Sequence, residues 1–147
     1  MPPSQVLAVV RRYHDGWTSK NYRQATDLLA PTLRVEVPVN DYPTADSFAQ
    51  ALRGFGELVS SVDLLAEMSA GDEAMLLYDL QVKRLGALRV VEHFTVADGK
   101  IVRLRQVHDT AAVRAAGMAA GLDPVTTEDT QGSTVADGEL DYTPAHL

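Results

Sequence analysis

Apolar residues recur at helical spacing in two segments of this chain. The spacing i, i+4, i+7, i+11 places four side chains on one stripe of a helix. The first stripe contains Val6, Val10, Tyr13 and Trp17, and the second contains Phe48, Leu52, Phe55 and Val59. We therefore predict a first helix over about 5–19 and a later one that begins near 44–46. A short helix over 22–29 is predicted between them, because Asn21 is a favourable N-cap and Pro31 disfavours continuation.

Alternating apolar and polar residues predict the strands of a sheet. Runs over 33–39, 61–69 and 73–83 alternate in this way, and two further runs flank Asp98-Gly99. Asp-Gly is a strong signal for a two-residue hairpin turn. The resulting order is two helices, a strand, a helix and then four strands in an antiparallel meander. This order predicts an α+β fold with the helices on one face of a curved sheet.

The Asp98-Gly99 turn also predicts the register of the last hairpin. The predicted pairs on one face are Ala97–Lys100, Thr95–Val102, His93–Leu104 and Val91–Gln106. Those on the other face are Val96–Ile101, Phe94–Arg103, Glu92–Arg105 and Val90–Val107. Because the first face mixes apolar residues with His93 and Gln106, we expect it to line a pocket.

Composition and charge narrow the possible partners. The 147 residues are enough for one domain, and the absence of cysteine excludes disulfides and thiolate catalysis. Of the 20 acidic residues, six lie in 118–147, which has no Lys or Arg, so 14 acids face 13 bases in residues 1–117. We predict a folded domain over 1–117 and an acidic, disordered tail over 118–147. Neither part has the basic stripe that nucleic acid or an anionic membrane requires, and no secretory signal is recognised, so we expect a cytoplasmic protein that binds neither.

Two polar residues are candidates for acid–base chemistry. Asp79 interrupts a strand of apolar neighbours, and His93 lies on the predicted pocket face. If adjacent hairpins bring them together, Asp79 would orient the imidazole and raise its pKa, as general acid–base catalysis requires. Alternatively, Asp79 is a solvated residue at the rim of the sheet and His93 is a structural histidine.

The remaining candidates for a binding site come from the helix stripes and the strands. Tyr13 and Trp17 are either core aromatics or part of a cavity wall, with the Tyr13 hydroxyl available to a ligand. Gln106 would form a hydrogen bond with a substrate oxygen. The further residues predicted around the pocket are Phe48, Leu77, Leu104 and, near the end of its strand, His108. His14 lies off the apolar stripe and is expected to face solvent.

No metal or cofactor site is predicted. The four histidines, His14, His93, His108 and His146, include no close pair on one helix face. The sequence also has no glycine-rich phosphate loop and no serine nucleophile elbow. We therefore expect any chemistry to depend on ordinary side chains.

Three features of the sequence resemble a known family. They are Trp17 near the end of the first helix, the sequence LLAP followed by LRVEVP, and FTVADGKIVRLRQVHD. With these features, residues 5–115 resemble the NTF2-like superfamily, in particular its SnoaL-like branch of polyketide cyclases, ketosteroid-isomerase-like proteins and limonene-epoxide-hydrolase-like enzymes. The resemblance implies a cone, in which three helices and a strongly curved, mainly antiparallel sheet enclose an apolar pocket. It also implies a homodimer formed through the outer face of the sheet.

The resemblance further implies where catalytic groups would lie. At the place of a pocket carboxylate in the epoxide-hydrolase-like members, this chain has Gln106, which cannot take up a proton. Their Arg-x-Asp motif is matched by Leu77 and Asp79, so the aspartate is kept and the arginine is not. The isomerase pattern of acids with a tyrosine is matched by Asp79 and Tyr13.

Three functions follow as hypotheses. The first is a small cofactor-independent enzyme that uses Asp79 and His93 in cyclisation, isomerisation or hydration of an apolar cyclic, polyketide-like or terpenoid-like substrate. The second is a non-catalytic module that binds a small apolar molecule in the same pocket, which the amide of Gln106 favours. The third is an interaction protein whose outer sheet face buries in a dimer. The residues predicted for that interface are Tyr78, Leu80 and Phe94.

Overall fold

The computed structural model of the protein describes residues 3–117. Its helices are α1 (Pro3–Thr18), α2 (Tyr22–Thr26), α3 (Ala45–Gly56) and α4 (Ala111–Ala115). Its strands are β1 (Leu29–Glu36), β2 (Val59–Ala70), β3 (Glu73–Val82), β4 (Gly86–Ala97) and β5 (Lys100–Val107). The elements follow one another in the predicted order, and the predicted α+β fold is confirmed.

Residues up to Asp109 form one compact unit, and α4 belongs to a second unit that begins at Thr110. The tail predicted over 118–147 lies outside the described residues. Its disorder therefore stays a prediction.

The five strands form one curved, unclosed sheet in the order β1-β5-β4-β3-β2. Strands β2 to β5 pair antiparallel with their neighbours along the chain, as the predicted meander requires. The edge strand β1 instead pairs parallel with β5, where Val35 lies opposite Leu104. The sheet is therefore mixed, although it is mainly antiparallel.

The first strand begins earlier than its sequence pattern predicted. Helix α2 ends at Thr26, and β1 already starts at Leu29. The backbone N–H of Ile101 donates to the carbonyl of Leu28 at 2.7 Å, which ties this end of β1 to β5. The register of the pair shifts after Leu29. The irregular stretch contains Pro31, which has no N–H to donate to a ladder.

Two helices cover the sheet from one side. Helix α1 packs on β2 to β5, and α3 packs on β1. A capping box starts α3, in which the Thr44 hydroxyl accepts from the Ser47 backbone N–H at 3.0 Å. At Gly16, α1 approaches the backbone of α2 so closely that a Cβ atom would lie 2.9 Å from the nitrogen of Ala25. Glycine is therefore required by the packing of these two helices.

The predicted register of the last hairpin holds only next to its turn. Ala97 pairs with Lys100, as expected, but a bulge then leaves one extra residue, Val102, in β5. Because side chains alternate between faces, one extra residue in β5 turns every later residue of β5 to the face opposite to the one predicted. The observed pairs beyond the bulge are Thr95–Arg103, Phe94–Leu104, His93–Arg105, Glu92–Gln106 and Val91–Val107.

The side chains buried under the helices occupy alternate positions of the central strands. They are Ala74, Leu76, Tyr78, Leu80 and Val82 in β3, Leu88, Val90, Glu92, Phe94 and Val96 in β4, and Ile101 and Leu104 in β5. We call this side the inner face of the sheet and the opposite side its outer face. The predicted outer-face interface residues Tyr78, Leu80 and Phe94 are thus core residues, and that assignment was wrong.

Candidate active site

A buried carboxyl group, that of Glu92, lies on the inner face of the sheet. Glu92 is 1% exposed and occupies the middle of β4. The Tyr78 hydroxyl donates to Glu92 Oε1 at 2.8 Å, and the Gln106 amide Nε2 donates to Oε2 at 2.8 Å. These donors come from β3 and β5, the strands on either side of β4. The bulge brings Gln106 opposite Glu92.

Helix α1 places three further polar side chains in the same region. Tyr13, His14 and Trp17 are 0%, 3% and 2% exposed. The ring of Tyr13 lies 5.7 Å from that of Phe94, and the ring of Tyr78 lies 4.8 Å from His14 and 6.2 Å from Trp17. We call Tyr13, His14, Trp17, Tyr78, Glu92 and Gln106 the buried polar cluster.

Three polar atoms of this cluster have no hydrogen-bond partner among the described residues. They are the Tyr13 hydroxyl, His14 Nδ1 and Trp17 Nε1, all from α1. A buried polar group without a partner costs roughly 1–3 kcal/mol. Native proteins contain few such groups, so each calls for an explanation, and a ligand that supplies the missing partner is one.

Burial sets the protonation of the cluster. It raises the pKa of Glu92 from 4.5 to about 7, although the hydrogen bonds from Gln106 and Tyr78 favour the ionised form and act in the opposite direction. Burial lowers the pKa of His14 from 6.5 to about 4, so this imidazole is neutral at neutral pH. The pKa values of Tyr13 and Tyr78 are raised well above 10.0, first by burial and then by the charge of Glu92. The cluster therefore combines a carboxyl group that exchanges its proton near neutrality with a neutral imidazole and two hydroxyl donors.

The model of the SnoaL-like domain family matches residues 10–104 of this chain. The chain belongs to the SnoaL-like family. This family includes isomerases and cyclases, and the match extends from α1 to β5. No curated protein matches the chain at a significant level.

Solved structures share the fold of this SnoaL-like chain. A protein of Kribbella flavida is 24% identical with a TM-score of 0.69, and the alignment covers 76% of this chain and 93% of that one. An NTF2-like protein of unknown function from Cytophaga hutchinsonii is 12% identical with a TM-score of 0.60, over 69% and 88% of the chains. A candidate ketosteroid isomerase from Kribbella flavida is 19% identical with a TM-score of 0.63, over 74% and 81%. The predicted NTF2-like, SnoaL-like resemblance is confirmed.

In this SnoaL-like domain the two predicted catalytic residues lie on the outer face. Arg89 donates to both carboxylate oxygens of Asp79, at 2.7 and 2.8 Å, and lowers the pKa of this exposed group. His93 Nε2 lies 2.5 Å from a carboxylate oxygen of Glu73. Asp79 pairs with Arg89 and Met75 with His93, so Asp79 and His93 are four positions apart along the strands, or about 13 Å. The prediction that both residues face the pocket as a pair was wrong, because the alternation of β3 turns Asp79 outward and the unbroken alternation of β4 turns His93 outward.

The other predicted binding residues divide between the two faces. Those that lie inside are Tyr13, Trp17, Phe48, Leu104 and the half-buried Gln106. Leu77 lies opposite Val91 on the outer face, so its place in the pocket wall was predicted wrongly. His108 follows the end of β5, where its Nδ1 lies 2.9 Å from the carbonyl oxygen of Asp109.

Sequence analysis missed Glu92 and placed His14 in solvent. A signal for Glu92 exists within β4 itself. There Leu88, Val90, Phe94 and Val96 alternate as one apolar set with Glu92 at its centre. This set predicts the buried face more directly than a register counted from the turn. For His14 the sequence offers no comparable signal, because the sheet buries a wider face of α1 than its apolar stripe alone.

Within residues 3–117, no group of three or more His, Asp or Glu side chains is arranged to hold a metal ion. Over the same range, no helix is both long enough and apolar enough to cross a membrane.

Proposed function

We propose that this SnoaL-like domain catalyses proton transfer on an uncharged, apolar, cyclic substrate, with Glu92 as the group that takes up and returns the proton. The observation that carries the proposal is the burial of Glu92, which brings the pKa of its carboxyl group to about 7. General acid–base catalysts are most effective when their pKa lies near the ambient pH. Isomerisation and cyclisation both require that a proton leaves one carbon and returns elsewhere.

The surroundings of Glu92 favour a neutral substrate. No arginine or lysine side chain is buried among the described residues, so an anionic substrate would find no counter-ion in the interior. The neighbouring walls are aromatic and aliphatic, and include Trp17, Phe94 and Leu104. We therefore expect a cyclic ketone or a related compound with one reactive oxygen.

The cluster supplies a role for each group. The Tyr13 hydroxyl, which lacks a partner among the described residues, would donate a hydrogen bond to the substrate oxygen. Glu92 would remove a proton from the adjacent carbon while Tyr78 holds the carboxylate. Because Glu92 is 1% exposed, a substrate must displace side chains to reach it. Gln106 is the one member of the cluster that is only half-buried.

Hydrogen exchange at carbon tests this proposal. The probes are cyclohexanone, whose α-carbon exchange in D2O is followed by NMR, and 3-cyclohexenone, whose conversion to the conjugated enone is followed by ultraviolet absorption. Wild type is expected to accelerate at least one of these reactions, with a rate that rises with pH and levels off above about 7. Glu92→Gln is expected to lose a factor of about 10²–10⁴. The matched control, Asp79→Asn, alters an outer-face carboxylate and should keep the full rate. Equal rates in wild type and Glu92→Gln would refute the proposal.

A non-catalytic binding function is the second candidate. It is favoured because Glu92 is the one carboxyl group buried among the described residues, so the site has no second acid. Under this function, 2-naphthol would raise the melting temperature of wild type and of Glu92→Gln alike. Neither protein would then accelerate exchange of cyclohexanone.

We also propose that the partner of this chain is a second copy, bound through the outer face. An apolar row crosses four strands of that face, each residue opposite the next: Ala66, Leu77, Val91 and Val107. Beside it lie Met68 and Met75, which are 68% and 43% exposed. Contiguous apolar surface of this kind is typical of protein interfaces.

The charges of the outer face are separated in a way that suits such a dimer. The acidic residues on β2 and β3 are Asp63, Glu73 and Asp79, and the last of these is bonded to Arg89 of β4. The opposite half, on β1 and β5, carries Arg34, Arg103 and Arg105 with one acidic residue, Glu36, which is bonded to Arg103, so this half stays net positive. Because β4 is the central strand, a twofold axis parallel to it would place β5 of one copy over β3 of the other. Basic and acidic halves would then face each other.

Sedimentation at micromolar concentration tests the dimer. Wild type is expected to be dimeric, and Val91→Arg, at the centre of the apolar row, is expected to be monomeric. Glu73→Arg should weaken the dimer, and adding Arg103→Glu should restore it because the charges are exchanged across the interface. A monomeric wild type, or a double variant no stronger than Glu73→Arg alone, would contradict the proposed packing.

A further inference from the structure

The side chain of Gln106 has an unusual position for a carboxamide. It faces the inner side of β5, directly across from Glu92, and its Nε2 donates to Glu92 Oε2 at 2.8 Å. The other carboxylate oxygen already accepts from the Tyr78 hydroxyl at 2.8 Å. Both oxygens of Glu92 are therefore held, one by each neighbouring strand.

The groups that face Glu92 differ in how they respond to pH. From β3 comes Tyr78 and from α1 come Tyr13 and, against the Tyr78 ring, His14. All three are titratable, and none carries a positive charge at neutral pH, because burial lowers the pKa of His14 to about 4. From β5 comes Gln106, which does not titrate. Of these four neighbours only the carboxamide has no titratable proton, and the other three keep their protonation while Glu92 titrates near pH 7.

A carboxamide can serve either state of a carboxyl group. Its N–H donates to an ionised carboxylate, and after a half-turn of the terminal torsion its carbonyl accepts from a protonated one. A carboxylate at position 106 would instead form a repelling pair with Glu92, and an apolar residue would make no hydrogen bond at all. Glutamine is therefore matched to a neighbour that changes its protonation.

We propose that Gln106 is a positioning residue, which holds the Glu92 carboxyl group in place through both of its protonation states. For catalysis, this inference rests on the proton transfer proposed above. In that reaction Glu92 gains and loses a proton in each cycle. Gln106 keeps the same oxygen directed at the substrate before and after each transfer, so the carboxyl group does not have to reorient.

Titration of the Glu92 carboxyl carbon tests the inference without any substrate. The full chain is labelled with [13C]glutamate, and the Glu92 signal is assigned by its loss in Glu92→Gln. In Gln106→Met, which keeps the length of the side chain but removes the amide, the midpoint is expected to rise by about one pH unit, because the hydrogen bond lost from the ionised carboxylate is stronger than the one lost from the protonated group. In Gln106→Glu two coupled steps should replace the single one. The matched control is Gln81→Met, which alters an exposed glutamine of the outer face and should leave the midpoint unchanged.

The outcomes separate this inference from the proposed function. An unchanged midpoint in Gln106→Met together with a single step in Gln106→Glu would overturn it, even if Glu92 proves to be catalytic. Conversely, a shifted midpoint in a protein without turnover would support the positioning role and contradict the proposed chemistry. If the positioning role and the proposed chemistry both hold, the pH dependence of the hydrogen-exchange rate in Gln106→Met should shift by the same amount as the NMR midpoint. Gln106→Met should also lower kcat by a larger factor than it weakens binding of 2-naphthol. Should Gln106→Met not fold, Gln106→Glu supplies the decisive titration.

Discussion

Replacing Glu92 by glutamine is expected to reveal a pH dependence of stability that wild type conceals. Glu92 and His14 are both buried in the same cluster, and burial shifts their pKa values in opposite directions. The folded state therefore binds an extra proton at Glu92 between pH 4.5 and about 7, and lacks one at His14 between about pH 4 and 6.5. Over the shared range from 4.5 to 6.5 the two effects oppose each other.

The signs follow from linkage between proton binding and folding. The pKa of Glu92 is raised in the folded state, so its favourable contribution is complete below pH 4.5 and is lost as pH rises toward about 7. The pKa of His14 is lowered, so its contribution is complete above pH 6.5 and is lost as pH falls toward about 4. Each shift amounts to about 3 kcal/mol, at roughly 1.4 kcal/mol per pH unit. The two contributions to the free energy of unfolding therefore nearly cancel, and their sum changes little with pH between 4.5 and 6.5.

Single substitutions should expose each slope. Glu92→Gln leaves only His14, so the free energy of unfolding is expected to rise by about 2–3 kcal/mol from pH 4.5 to 6.5. His14→Phe keeps a ring against Tyr78 and leaves only Glu92, so the free energy of unfolding is expected to fall by a similar amount. The measurement is urea denaturation at a series of pH values, with constant ionic strength.

The double variant is the internal control for this experiment. With both groups replaced, the profile should become flat again over the same pH range. The reasoning would be refuted if both single variants kept the flat profile of wild type, because Glu92 and His14 would then titrate in the folded state as they do in the unfolded chain. The reasoning would also be refuted if the free energy of unfolding changed with pH in the same direction in both single variants.

Three further predictions concern packing and surface charge. Tyr78→Phe removes the hydroxyl that donates to Glu92 and should cost about 1.5–3 kcal/mol of stability at a pH where Glu92 is ionised, as measured by urea denaturation. Gly16→Ala should cost about 1–3 kcal/mol of stability, because its Cβ atom would clash with the backbone of α2. Gly54→Ala, where a Cβ atom meets nothing within 4 Å, should instead stabilise the protein by about 0.5–1 kcal/mol. Comparing the melting temperatures of the two variants distinguishes the clash from a general effect of alanine in a helix. In the monomeric Val91→Arg background, Asp79→Asn breaks only an exposed ion pair and should cost less than about 1 kcal/mol, whereas a larger loss in wild type would show that the proposed dimer buries this ion pair.

The failure to predict the site has a specific physical cause. The prediction counted the register of the last hairpin from its Asp98-Gly99 turn, and this count is correct for the first two pairs. The extra residue Val102 then exchanges the two faces of β5 beyond it, so Gln106 lies inside opposite Glu92 and does not share a face with His93, which the regular alternation of β4 turns outward. A bulge has no distinctive residue here, since Val102 is as typical of a regular strand as its neighbours.

The amino-acid sequence by itself determined the order and type of the elements. Helical spacing gave α1 and α3, alternation gave β2 to β5, and the Asp98-Gly99 turn gave the last hairpin, because these signals depend on contacts between near neighbours in the chain. The tertiary structure alone decided the bulge at Val102, the parallel pairing of β1 with β5 and the burial of Glu92. The physical reason is that facing and pKa depend on which distant residues pack together, and the desolvation that makes Glu92 a candidate catalyst arises only when α1 covers the sheet.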